Sequence, residues 1–269
     1  MQVSVVIPVH NEQENIATLL QEVDNALSNF CEYEVVVVDD GSSDSTPQVL
    51  EETAKTLSTL RILRHEKCCG QSTALITGVR SAKNPIVCTL DVDGQNDPAD
   101  LPKMIETLAG RDAPNDLTLI AGHRKKRKDS KWRLFCSRIA NRVRSKLLND
   151  DTPDSGCGIK VFYWETFMSM PHFDHMHRFL PCLAQRTGGS VQSVEVNHRP
   201  RVHGRSHYGT LGRLMAGIVD LAGVSWLIRR NKFPIVSIME VSNDLRTSVD
   251  SGRTDRSIHV YRPVRRSVA

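Results

Sequence analysis

Two valine-rich runs set the frame for this chain: VSVVIPV at residues 3–9 and EVVVVDD at 34–40. Both are apolar on consecutive residues rather than alternate ones, the pattern of a strand covered on both faces. Each breaks off into a polar cluster, HNEQEN in the first case and DDGSSDS in the second. Between them Ile16, Leu19, Leu20, Val23 and Leu27 recur at helical spacing. The unit then repeats. A strand at 33–39 precedes a helix from about 44, LRILRH (60–65) precedes the helix of GQSTALITGVRSA, and PIVCTLD (85–91) precedes a helix with Pro98 near its first turn. LTLIAGH (117–123) closes the series. This alternation predicts an α/β fold with a mostly parallel central sheet and helices on both faces. Ligands of such sheets bind at the carboxyl ends of the strands. The polar clusters Pro8–Glu12, Asp39–Asp44 and Asp91–Asp97 fall there.

Past residue 123 the pattern changes. Eleven Lys or Arg and one Asp lie between Arg124 and Lys146, and WRLFCSRIANRVRSKLL (132–148) within that stretch has helical spacing. DDTPDSGCGIKVF reads as a Gly- and Asp-rich turn, HMHRFLPCLAQRTGG as helical, and SVQSVEVNHRPRVHGRSHYG as containing an alternating strand. Residues 1–235 are expected to form the folded domain, in two halves at 1–123 and 124–235. The basic, polar residues 236–269 read as a poorly ordered tail.

Several classes are excluded or disfavoured. The seven cysteines include no CxxC pair, and the chain opens on MQVSVVIPVHNE, a poor export signal, so reduced thiols in the cytoplasm are expected. No apolar run reaches the roughly 18–20 residues of a membrane span. The nearest, 214–228, is shorter and carries Asp220. There is no Gly-x-Ser-x-Gly elbow, Walker lysine loop or dinucleotide fingerprint. Nucleic acid is not an expected partner, because the basic segment lacks any recognisable nucleic-acid-binding motif. An anionic membrane surface suits it better: Lys131, Trp132, Arg133, Leu134 and Phe135 mix cations with interfacial aromatics, and Trp226 precedes Arg229, Arg230 and Lys232.

The carboxylates carry the chemistry. Asp91 and Asp93 end a buried strand, and paired carboxylates persist where a cation or donated hydrogen bonds offset their repulsion. Hard oxygen ligands suit Mg2+ or Mn2+, and Gln95 adds a neutral oxygen. A solvated loop with capping aspartates is the competing reading, and Asp97 before Pro98 and Asp44 before the second helix fit capping well. Asp39 could accept from a base N–H or ribose hydroxyls. Arg124 follows the fifth strand directly. Arg199, Arg201 and Arg205, with Ser206 between glycines, suggest phosphate contacts. His198, His203 and His207 are too loosely spaced to assign a metal.

Taken in order, VVIPVHNEQENI, VVVVDDGSSDST, DVDGQNDP, GHR, WRLFCSRIAN, DSGCGIKVF, HRFLP and VNHRPRVHGRSHYG resemble the inverting glycosyltransferases of family 2 over about residues 2–230. The resemblance is strongest to the polyprenyl-phosphate hexose transferases of the dolichol-phosphate mannose synthase type. It implies a GT-A-type fold. It implies that Pro8, Asn11, Glu12, Asp39 and Asp91 hold the nucleotide, and that Asp91, Asp93 and Gln95 hold Mg2+ or Mn2+. Arg124 and Arg201 would contact phosphates, Arg133 and Ser137 would lie in the acceptor-phosphate region, and Arg201, Ser206 and Tyr208 would belong to a loop closing over the diphosphate. Asp154 and Lys160 match a segment where relatives carry Asp and Arg, and Gly94 stands where they prefer an apolar residue. The expected activity is transfer of a hexose from a nucleoside-diphosphate sugar to a polyprenyl phosphate by a protein peripheral to the inner membrane face. Two alternatives stand beside it: a family 2 transferase with a non-lipid acceptor, and a non-catalytic nucleotide-sugar-binding protein at the membrane.

Overall fold

The computed structural model describes residues 1–124, 142–200 and 210–232, with side chains of the last segment described from 217. Its centre is a seven-stranded sheet of order β3-β2-β1-β4-β6-β5-β7. The strands are β1 (Gln2–Val9), β2 (Glu32–Asp39), β3 (Leu60–Arg64), β4 (Ile86–Thr89), β5 (Leu117–Arg124), β6 (Lys160–Tyr163) and β7 (Ser190–Val196). The helices are α1 (Ile16–Leu27), α2 (Thr46–Ala54), α3 (Gln71–Ser81), α4 (Leu101–Ala109), α5 (residues 142–148), α6 (Trp164–Met168), α7 (Leu180–Arg186) and α8 (Thr210–Arg229).

The consecutive apolar pattern has its expected cause. Val3, Val5, Ile7 and Val9 of β1 pack with α1 and α4 on one face of the sheet. Val6, between them, packs with Val36 and Val38 of β2 and with α3 and α7 on the other. All five apolar residues picked out for α1 are buried. In β7, Val194 and Val196 turn inward while Gln192 and Glu195 stay exposed, which matches the alternation read there.

One strand runs against the rest. β6 is antiparallel to β4 through Thr89↔Lys160 and to β5 through Ala121↔Lys160, whereas β1, β2, β3 and β4 pair in parallel, as do β5 and β7. The sequence reading placed residues 150–162 in a turn; their last residues are this buried strand. The reversal has a direct consequence for the site. The segment leading into β6 arrives at the edge where β4 and β5 end.

Pro8, half-buried, sits in a central strand, where a missing N–H would ordinarily break the ladder. β4 pairs with β1 only as far as Val6↔Thr89, so by Pro8 one side of β1 is already clear of that neighbour. The apolar segment read at 214–228 lies within α8. Val224 and Ser225 of that helix are buried, and Leu221, Leu227 and Ile228 pack on the core. Ile218, Val219 and Trp226 remain exposed, and Arg229 and Arg230 are exposed beyond them. Asp220 faces the body of the protein, where it pairs with His175 Nδ1 at 2.9 Å. Among the described residues no helix is long and apolar enough to cross a membrane.

Candidate functional site

The loops after β1 and β2 are laced together. Asn11 has a left-handed backbone, φ 56. Its N–H donates to Ser42 Oγ at 2.9 Å, and its side-chain oxygen accepts from the backbone N–H groups of Ser43 and Asp44. Glu12 N–H donates to Thr46 Oγ1, and Glu12 Oε2 accepts from Asn15. Asp44 takes the N–H of Thr46 at the start of α2, the capping role read from sequence. Asn11 and Glu12 thus shape the rim on which Asp39 stands.

Asp39 is buried at the end of β2. Its Oδ1 accepts from Ser42 N–H at 2.9 Å. Its Oδ2 is buried, has no hydrogen-bond partner, and lies 3.3 Å from Arg64 Nε. A buried carboxylate oxygen in that condition suits a donated hydrogen bond from a ligand. Asp40 points elsewhere. It accepts from His65, Cys68 and the backbone of Cys69 and Gly70.

Beyond β4, Gln71 at the start of α3 donates from Nε2 to Asp91 Oδ1 at 2.9 Å. The Asp91 carboxyl is pushed above the usual aspartate range, first by burial and then by the charge of Asp93, while Lys160 and Arg124 pull it back. Gly158 presses against the same carboxylate: a Cβ there would lie 2.0 Å from Asp91 Oδ2. Asp93 accepts Gln95 N–H at 3.1 Å across a turn that Gly94 makes with φ 71, a conformation that an apolar side chain in its place would strain. The loop is held from the far side as well. Asn96 bridges to His198, and Arg199 N–H donates to Gln95 O. Arg199 itself forks between Glu22 and Asp97, so it anchors this loop instead of offering a guanidinium to phosphate. Asp97 also caps the helical turn at Pro98, as expected.

Arg124 is held by Asp154, with Nε at 2.7 Å and Nη2 at 2.8 Å from the two carboxylate oxygens. That bidentate pair raises the guanidinium pKa further and keeps it charged. Lys160, buried at the start of β6, donates to Cys157 O and lies close enough to Asp91 and Asp154 to interact with both. Burial lowers its pKa. His177 sits behind it, its Nδ1 2.8 Å from Ser72 Oγ. Burial, then the charges of Lys160, Arg178 and His175, push His177 down to about 3. Arg144, part of the basic segment, is buried against Asp150 and Thr152 O and holds a turn.

The structure therefore brings Asp39, Asp91, Asp93 and Arg124 to one edge of the sheet, with Pro8, Asn11, Glu12 and Gln95 in the loops that shape it. It adds Gln71, Gly158, Lys160 and His177, of which only Lys160 was singled out in the sequence. Gly158 could have been found as the second glycine of DSGCG. Arg133, Ser137, Arg201, Arg205, Ser206 and Tyr208 lie outside the described residues, as do His203 and His207.

The family model for glycosyl transferase family 2 matches residues 4–169, from β1 through α6. The chain belongs to that family. Within family 2 it is 30% identical over 239 residues to dodecaprenyl-phosphate galacturonate synthase from Rhizobium johnstonii, covering 87% of this chain and 69% of the relative. It is 32% identical over 211 residues to undecaprenyl-phosphate 4-deoxy-4-formamido-L-arabinose transferase from Edwardsiella ictaluri, covering 78% of this chain and 63% of the relative. The chain thus spans about two thirds of the length of these proteins. Among solved structures, a Pyrobaculum calidifontis mannosyltransferase in complex with GDP-Man and Mn2+ superimposes with a TM-score of 0.64 at 22% identity, over 86% of this chain and 65% of its own. Glucosyl-3-phosphoglycerate synthase from Mycobacterium tuberculosis, in complex with Mn2+, UDP-Glc and phosphoglyceric acid, gives 0.62 at 17% identity, over 84% of this chain and 79% of its own. These likenesses establish the GT-A-type fold.

Proposed function

We propose that this chain transfers a sugar from a nucleoside-diphosphate donor to a polyprenyl phosphate at a membrane surface. The observation that carries the reading is the charge layout at one sheet edge. Asp39 has a buried carboxylate oxygen that accepts no hydrogen bond and has only the Arg64 charge near it, Asp91 and Asp93 crowd each other, and Arg124 and Lys160 stand behind them. The relatives named for polyprenyl phosphates favour this acceptor class.

Asp39 accepts a hydrogen bond from the base or ribose, on a rim fixed by Pro8, Asn11 and Glu12. Asp91 and Asp93, with Gln95, hold Mg2+ or Mn2+. The donor set fits: two hard carboxylates, one of them lifted in pKa by burial and then by its neighbour, are what a divalent cation relieves. Such a cation, when bound, neutralises the diphosphate leaving group. Gln71 and Gly158 fix the Asp91 carboxylate from two sides. Asp154 aims Arg124, and Lys160 adds positive charge beneath. A phosphate oxygen of the acceptor attacks the anomeric carbon from the face opposite the leaving group, and configuration inverts. That oxygen is ionised near neutral pH, so no dedicated general base is needed; positioning and electrostatics carry the rate. Arg133, Ser137, Arg201, Ser206 and Tyr208 serve the phosphates on the acceptor side and the closing loop. The exposed Ile218, Val219 and Trp226, followed by Arg229 and Arg230, lie at headgroup level.

The test is a transfer assay with Mn2+, undecaprenyl phosphate and radiolabelled nucleoside-diphosphate sugars, including galacturonic acid and 4-deoxy-4-formamido-arabinose donors. Label entering the organic phase from one donor supports the reading and names the sugar. Nucleotide release without lipid labelling would refute the lipid acceptor.

A further inference from the structure

We infer that Asp40, His65 and Cys69, with Cys68 beside them, form a binding site for a thiophilic divalent cation such as Zn2+, separate from the Asp91–Asp93 site. One ligand atom from each of Asp40, His65 and Cys69 lies within 4.8 Å of the others. Cys68 Sγ donates to Asp40 Oδ2 at 3.2 Å and flanks the three. Ligand atoms around tetrahedral zinc stand about 3.3–3.8 Å apart, so a small inward movement brings these three to bonding distance and leaves the fourth position to water. Cys68 and Cys69 are exposed on the turn between β3 and α3, which leaves an ion free access from solvent.

The hydrogen bonding is arranged for the exchange. His65 Nδ1 is 2.7 Å from Asp40 Oδ1. A carboxylate only accepts, so Nδ1 carries the proton and Nε2, 3.0 Å from Thr77 Oγ1, accepts from that hydroxyl. A hydroxyl can also accept. The imidazole can therefore shift its proton to Nε2, donate to Thr77, and present Nδ1 to the ion, the outer hydrogen bond that orients most histidine ligands. The ligating thiol gives its proton to solvent. The ligand set also differs in kind from the transferase site. Thiolate and imidazole select zinc-like ions, whereas the all-oxygen Asp91–Asp93–Gln95 set selects Mg2+ or Mn2+.

The turn is already built to a fixed shape. Gly41 has φ 67, and a Cβ there would lie 2.6 Å from the carbonyl carbon of Lys67, so the β2 turn and the cysteine turn touch backbone to backbone. Gly70 N–H is bound to Asp40 while the next residue, Gln71, is bound to Asp91. The cysteine turn therefore connects the Asp40 carboxylate to that of Asp91 through two consecutive residues.

The inference does not depend on the transferase reading and is tested by binding alone. The reduced full chain is titrated with Cd2+ and the ultraviolet cadmium–thiolate band is followed, with circular dichroism to confirm folding. One saturable equivalent is expected. Cys69→Ser and His65→Gln should each weaken it at least about tenfold, while Cys31→Ser and excess Mn2+ leave it intact. Absence of a saturable band, a band unaffected by Cys69→Ser, or stoichiometric displacement of Cd2+ by Mn2+ would overturn the assignment. If Cys69→Ser fails to fold, His65→Gln decides in the same way.

Discussion

Replacing Gly158 with alanine adds one methyl group in the tightest place beside the candidate site. That methyl would lie 2.0 Å from Asp91 Oδ2, 2.3 Å from its Cγ and 2.9 Å from Asn96 Nδ2. Real Cβ contacts essentially never fall below 3.0 Å, so the carboxylate must retreat by about 1 Å, a displacement that typically costs about 100-fold where geometry controls rate. In energy that is about 2.7 kcal/mol off transition-state stabilisation. Stability should fall by about 1 kcal/mol, the low end for overpacking, since the loop can give where a core cannot. Gly156→Ala is the matched control. Two residues earlier in the same turn, its Cβ would meet only Arg124 Nη2 at 3.8 Å and Asp154 Oδ1 at 4.0 Å, ordinary contacts. The assay is kcat/KM for transfer together with Mn2+ affinity by calorimetry in the presence of a nucleoside diphosphate. If Gly158→Ala keeps both within about threefold of wild type, the claim that Gly158 positions a metal-binding Asp91 is wrong.

Other outcomes follow from the same geometry. Asp93→Ala should lower turnover by at least about 1,000-fold with the unfolding midpoint nearly unchanged, read by transfer assay and thermal melt; near-normal turnover would remove Asp93 from the metal site. Asp154→Asn leaves Arg124 charged with half its fork, and urea denaturation should show a loss of roughly 3 kcal/mol, because breaking a largely buried ion pair strands the remaining charge. His177 gives a pH dependence. Its folded value of about 3 lies below the ordinary 6.5, so the unfolded chain binds the extra proton and stability is lost as pH falls from 6.5 toward 3. Between pH 7 and pH 5, above most carboxylate titrations, that amounts to about 1–2 kcal/mol. His177→Gln, which can still bond Ser72, should flatten that slope in denaturant titrations.

The parallel half of the fold was legible because burial on both faces leaves an unmistakable imprint: Val35, Val36, Val37 and Val38 are all fully buried in β2, as their run implies. β6 was not legible. It is four residues long, follows a glycine-rich turn, and owes its strand character to neighbours at Thr89 and Ala121 that no local pattern reveals. The acidic residues of the candidate site could be placed at strand ends because each follows a buried apolar run. Their partners could not. Arg124 meets Asp154 thirty residues on, and Arg199 meets Glu22 from nearly the other end of the chain. A guanidinium looks the same in sequence whether it waits for a phosphate or already holds a carboxylate. The partners of Asn11 were hidden in the same way. Its amide oxygen caps the Ser43–Asp44 turn, a contact between residues more than thirty positions apart.

The reversed direction of β6 also decides where this protein tolerates changes in chain length. The segment that feeds it is pinned at Asp154 by Arg124 and at Lys160 by both neighbouring strands, with Gly158 tight against Asp91 between them. A single inserted residue there would shift every one of those contacts. The turn at the opposite edge, before β5, lies far from those contacts. The turn before β5 exposes Arg111, Asp112, Pro114, Asn115 and Asp116. An affinity tag, a fluorophore or a small fused domain belongs in that turn, and a library that varies loop length will keep folding there while it fails at 154–160.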